Sequence, residues 1–136
     1  MTAEKDLSNL LSNINPVLND GEYVFVSIPE ENIPDGISCI GRFSEKEGET
    51  IIMNKVEADQ FGYSYEYVAS WITLNVHSSL HAVGFTAAIS SALAKHHISC
   101  NVIAAYYHDH LFVDEKDGEK AMGVLKELKT NVSLKF

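Results

Sequence analysis

A chain of 136 residues with 46% apolar side chains is long enough for one domain or two small ones, and its composition supports a packed core rather than disorder. The net charge of −9 repels phosphate backbones and disfavours nucleic acid as a partner; solubility accounts for it. Cys39 and Cys100 have no close spacing, no apolar run is long enough to span a bilayer, and no signal-peptide pattern opens the chain; together these point to a reduced, cytoplasmic protein without membrane contact or a disulfide framework.

Leu7, Leu10, Leu11 and Ile14 share one helical face, and Pro16 ends that helix. Tyr23 to Ile28 is rich in β-formers and reads as a strand. Pro29 to Gly36, with two prolines and several acidic groups, reads as a loop. Ile37 to Phe43 and Thr50 to Asn54 are further strands, joined by the charged turn Glu45 to Glu49. Val56 to Phe61 suits one or two helical turns. Tyr63, Tyr65 and Tyr67 alternate into Val68, so a strand starting there feeds Trp71.

In the second half, Ile72, Leu74 and Val76 alternate with polar partners as a strand. The loop His77-Ser78-Ser79-Leu80-His81-Ala82-Val83-Gly84 follows, opening a helix from Phe85 through Ala88, Ile89, Ala92 and Leu93 to His96-His97. Ile98 to Tyr107 is strand-like, His108-Asp109-His110 reads as a polar turn, and Leu111 to Val113 returns as the other arm of a hairpin. Asp117 is a candidate N-cap for a helix presenting Ala121, Val124, Leu125 and Leu128. Val132, Leu134 and Phe136 alternate as a closing strand. This order is strand-helix-strand-strand-helix-strand, the split βαβ or ferredoxin-like arrangement. The first half holds the same elements shifted by one position, a degenerate or permuted copy. The expected fold is therefore α+β with two ferredoxin-like units, residues 1–68 and 69–136, fused without a linker.

The loop before the second-half helix is where chemistry concentrates. A helix start presents free N–H groups and a partial positive charge, suited to a carboxylate. Gly84 offers close approach to a ligand or tight packing; Ser78 and Ser79 offer hydroxyls or turn-forming side chains. Asn101 stands in an apolar strand, so its amide has either a backbone or a ligand partner. His108, Asp109 and His110 admit a metal or a solvated hairpin tip, but no HExxH or CxxC spacing is present. No P-loop, GxSxG or GxGxxG motif occurs, and Cys100 lies among apolar residues. No catalytic residue and no cofactor is assigned.

The runs Tyr23-Val24-Phe25, Val76-His77-Ser78-Ser79-Leu80, Ala82-Val83-Gly84-Phe85-Thr86-Ala87-Ala88, Asn101-Val102-Ile103-Ala104 and Tyr106 to Val113 resemble the ACT family of small-molecule-sensing domains. The likeness is to small stand-alone tandem ACT proteins and extends over the chain. It implies a non-catalytic regulatory protein that binds an amino acid and works as a homodimer. It also implies a ligand site made from His77, Ser78, Ser79, Leu80, His81, Ala82, Val83, Gly84 and Phe85 with Asn101, Val102 and Ile103 of the next strand. The alternatives are a dimerisation module with a vestigial pocket, or a small metal-binding enzyme built on the His108–His110 turn.

Overall fold

The computed structural model describes Ala3 and residues 6–134, and the chain falls into two compact units. One comprises Met1–Asp20 with Ser70–Phe136, the other Gly21–Ala69. Strand β5 (Val68–Leu74) begins in the smaller unit and continues into the larger, so residues 68 and 69 both lie inside a strand.

The larger unit starts with helix α1 (Leu7–Ser12), capped by Asp6, whose carboxylate accepts from the Asn9 N–H at 3.0 Å. Strand β1 (Pro16–Leu18) follows at once. Proline is tolerated there because it opens a strand at a sheet edge. Three residues are too few to show alternation, so the sequence reads Pro16 only as a stop. The unit resumes with β5, helix α3 (Phe85–Lys95), strand β6 (Cys100–Ala104), strand β7 (Asp109–Asp114) and helix α4 (Gly118–Leu134).

Within this unit the strands run β1, β5, β7, β6. Pro16 pairs antiparallel with Leu74 and Leu18 with Ile72; Cys100 pairs antiparallel with Val113. Alternation sends Ile72, Leu74, Leu111 and Val113 to the helix-bearing face, where they meet Leu10, Ile14, Ile89, Leu93 and Leu125 in one buried core. Each such side chain contributes roughly 1.5–3 kcal/mol on burial.

The expected closing strand at Val132, Leu134 and Phe136 is corrected. Helix α4 runs through Leu134, and Phe136 lies outside the described residues. Ala121, Leu125, Leu128 and Val132 follow a helical spacing of four, three and four and pack on the same core, so one more turn of helix wins over a short strand. The fourth strand of the unit comes instead from β1. The arrangement is that of a βαββαβ unit whose last strand stands at the start of the chain. Asp117 does not cap α4: it sits in a 3-10 turn, Glu115–Asp117, and Asp114 caps that turn through the Lys116 N–H.

In the smaller unit, strands β2 (Tyr23–Ile28), β3 (Gly41–Glu45) and β4 (Gly48–Asn54) are ordered β3, β4, β2, with Val68 and Ala69 beside Val24 and Tyr23. Helix α2 (Lys55–Phe61) is capped by Asn54 and closed by Gly62 in the left-handed region. Val24, Val26, Ile28, Ile51, Met53 and Ala58 form its core. Residues 29–40 occupy the chain position of the first helix of a βαββαβ unit, but Pro29, Pro34 and Gly36 prevent one. Ile33, Ile37 and Cys39 from this segment pack on the core in its place. This is the degenerate copy. Two strand starts move inward relative to expectation: Gly41 rather than Ile37, and Val68 rather than the tyrosine run.

Candidate functional site

The loop from His77 to Gly84 is built from the larger unit's first crossover. After Leu74 the Val76 N–H turns back onto the Leu74 carbonyl at 2.8 Å, and the Asn75 N–H bonds Asn15 O at 3.0 Å. Ser78 is buried. Ser79 organises the bend twice: its hydroxyl accepts from the His81 N–H at 3.0 Å and its carbonyl from the Ala82 N–H at 2.9 Å. Gly84 then takes φ +85°, and α3 begins with no side-chain cap. Its first helical bond is Ala88 N–H to Gly84 O at 2.9 Å. Buried Phe85 anchors this end, while Leu80 and Val83 are exposed.

The β6–β7 connection packs against the loop. His77 and Tyr107 rings lie 5.1 Å apart, and His108 Nδ1 is 3.3 Å from the Val76 carbonyl. A hollow of about 350 Å³ opens here, lined by Ala3, His77 to His81 and Tyr106. Its size is at the lower end for small-molecule pockets.

The sequence expectation of a turn at His108–His110 is corrected. The turn is Ala105 to His108, closed by the Ala105 N–H on His108 O at 3.1 Å, with Tyr106 and Tyr107 at its exposed tip. Asp109 and His110 open β7 and face opposite sides of the sheet. Asp109 shares the helix-bearing side with Leu111 and Val113 and is only 5% exposed. Thr73 meets His110 and Trp71 meets Phe112, so Leu74 and Asp109 are neighbours where the loop departs. Among the described residues no donor pairs with the Asp109 carboxylate, whose oxygens still reach solvent, and the residue does not line the hollow. Burial pushes its pKa above the usual 3.8, and neighbouring His108 opposes the shift.

His110 lies on the helix-free side in a directional chain of hydrogen bonds. The Trp71 indole N–H donates to His110 Nδ1 at 3.1 Å, so that nitrogen carries no proton. The Thr73 hydroxyl, 3.2 Å from the same nitrogen, therefore donates too, while accepting from Asn19 Nδ2 at 3.0 Å. Burial, then the charge of His108, holds the His110 pKa down. A proton on Nδ1 would face the indole N–H, so geometry and desolvation agree in direction. Among the described residues no three His, Cys, Asp or Glu side chains stand together for a metal ion.

The remaining expected site residues divide. Val102 packs toward the helix-side core, whereas Asn101 and Ile103 are exposed on the opposite face, paired with Phe112 and His110. The fold thus gathers His77 to Phe85 in one loop and leaves Asn101 and Ile103 elsewhere on the same chain. Strand β6 is an edge of this unit's sheet. Asp109, named from sequence only in the metal alternative, and Tyr106 did not stand among the expected ligand-binding residues. The signal for Asp109 was its alternation with Leu111 and Val113, which extends the strand by two residues. Cys100 is pushed up to about 11 by burial, which leaves it an unreactive thiol.

A second hollow, of about 320 Å³, lies in the smaller unit and is lined by Glu30, Glu31, Glu45, Glu47 and Glu49 among others. Glu30, Glu31, Glu45 and Glu47 are surface groups, and the half-buried Glu49 is already paired with Arg42 at 2.5 Å.

These features define a class: an α+β chain of two ferredoxin-like units, one permuted and one missing a helix, with a crossover loop opening an uncapped helix. Family models described as ACT domain match residues 2–70 and 66–127, and the chain belongs to the ACT domain family as a tandem member. It is similar to a Vibrio cholerae protein of unknown function, described as a possible transport protein, with 40% identity over 92% of this chain and 97% of that one and a TM-score of 0.81. An Agrobacterium tumefaciens protein shares the fold at 20% identity and a TM-score of 0.65, covering 85% of this chain and 89% of its own. The ligand-free regulatory subunit of aspartate kinase from Thermus thermophilus does so at 9% identity and 0.62, covering 83% and 95%. No curated protein matches the chain. Among the described residues no helix is long and apolar enough to cross a membrane.

Proposed function

We propose that this chain is a non-catalytic regulatory protein that binds a free amino acid at the His77–Phe85 loop. The observation that carries this reading is the hollow at a loop that ends in an uncapped helix start, with Asp109 on the strand that leaves the neighbouring turn. An α-amino acid supplies the two charges such a place lacks. Its carboxylate suits the first N–H groups of α3 and the Ser78–Ser79 hydroxyls. Its ammonium suits Asp109, whose burial cost an ion pair offsets.

The same reading makes the working form a homodimer in the cytoplasm. Asn101, Val102 and Ile103 lie on an edge strand, so a second copy can bring its own β6 beside the loop. Ligand binding across that seam would favour one packing of the two copies, which is regulation by population shift. The regulatory subunit of aspartate kinase supports the fold comparison; its partner enzyme is not carried over to this chain. The test is a melting-temperature screen over the amino acids, joined to sedimentation with and without each hit. A ligand that raises Tm and shifts the chain to dimer supports the proposal; a monomer throughout would remove the two-copy site.

A further inference from the structure

We propose that the amino acid bound is one with a large apolar side chain, aromatic by preference; this rests on the site reading above. The hollow has two kinds of lining. Ser78, Ser79 and the backbone turn offer polar groups, while Leu80, Tyr106 and Ala3 offer apolar surface. His77 and His81 also line it, and no lining residue is Asp, Glu, Lys or Arg, so among the described residues a cationic side chain has no counter-ion in the hollow itself and an anionic one meets only imidazoles. A small polar side chain would leave Leu80 and Tyr106 wet.

The mouth adds to this. Val83 is 84% and Tyr106 73% exposed, and Leu80 and Tyr107 are exposed as well. Most large apolar residues of this unit are buried, so Leu80 and Tyr106 at the hollow, with Tyr107 against His77 and Tyr106, make an apolar rim awaiting cover. The tyrosines are already arranged: Tyr106 and Tyr107 meet edge to face at 5.0 Å, and Tyr107 lies against His77. An added ring extends that cluster with tilted or offset contacts at little cost in side-chain order.

The experiment is titration calorimetry of the full chain with L-phenylalanine, L-leucine, L-alanine, L-serine and L-glutamate. Phenylalanine and leucine are expected to bind at least about tenfold more tightly than serine or glutamate, the size expected for burying a ring or branched chain. Tyr106→Ala should narrow the preference for phenylalanine over alanine by roughly three- to tenfold, the value of a lost aromatic pair. Tyr106 is exposed, so this variant keeps its fold; Leu80→Ser serves as a second variant with the same expected direction. Serine or glutamate binding as well as phenylalanine overturns the side-chain class and leaves the amino-acid site standing. An unchanged preference in both variants also overturns it. Failure of all five to bind overturns the site reading itself and this inference with it.

Discussion

Asp109→Asn separates a ligand-binding carboxylate from a structural one. The substitution keeps shape and removes charge. A charge-assisted hydrogen bond from an ammonium to this group should be worth about 1.5–3 kcal/mol, or one to two decades in Kd. The unliganded protein should respond in the opposite sense. Asp109 is buried without a donor and its pKa lies above the ordinary 3.8. Above the raised folded pKa the carboxylate is ionised in both the folded and unfolded states, and the fold bears the desolvation of that charge. As pH falls through the raised folded pKa, the folded state takes up the proton first and gains stability. Asn removes the charge, so the variant's Tm at pH 7 should be no lower than wild type, and this acid-side gain should vanish. Ligand affinity in wild type should weaken with falling pH starting above 3.8, because the ammonium needs the ionised form. Calorimetry and thermal melts between pH 4 and 7, on the order of the usual carboxylate range, measure both. Unchanged affinity in the variant would refute the role of Asp109, and a lower Tm at pH 7 would make it a structural group.

Gly84→Ala should destabilise by about 1–2 kcal/mol, since Gly84 has φ +85° and an added Cβ would also meet Leu7 Cδ2 at 3.4 Å; an unchanged urea midpoint would contradict the strain. The His110 pKa is held below 6.5, so its contribution to stability is complete above that pH and is lost as pH falls from there through the folded value. Trp71 emission should report the same proton, with a midpoint below 6.5, because protonation breaks the indole bond; a midpoint above 6.5 would oppose it. A fragment of residues 66–136 lacks β1 and α1, hence one partner strand of β5 and the core side chains Leu10 and Ile14. It should remain unfolded by circular dichroism, and a cooperative melt of that fragment would count against the permuted unit.

That last prediction marks where sequence reading ended. Periodicity located α3, α4 and the β6–β7 pair because their apolar positions repeat over several turns or strands. It could not find β1, whose three residues pair only with a strand some fifty-five positions away. It also made a strand of Val132 and Leu134, since spacing of two over so few residues does not exclude helix. The loop His77–Gly84 was legible from its serines and glycine lying between clear elements. Asp109 was not, because a carboxylate between two histidines reads as a solvated tip until its register is known. Asn101 looked buried in an apolar strand; on the edge strand β6, opposite the helix-side core, it is exposed. Whether a second copy covers it is a matter of assembly, which one chain's pattern does not encode.

The central claim is that a free amino acid occupies the loop, and thermal melting of the full-length chain with each amino acid tests it most directly. A ligand at 100 times its Kd stabilises the native state by about 2.7 kcal/mol, enough to raise Tm by several degrees. The account predicts such a rise for at least one apolar amino acid, lost in Asp109→Asn. No rise with any amino acid at millimolar concentration, roughly the weak end of such affinities, would contradict it.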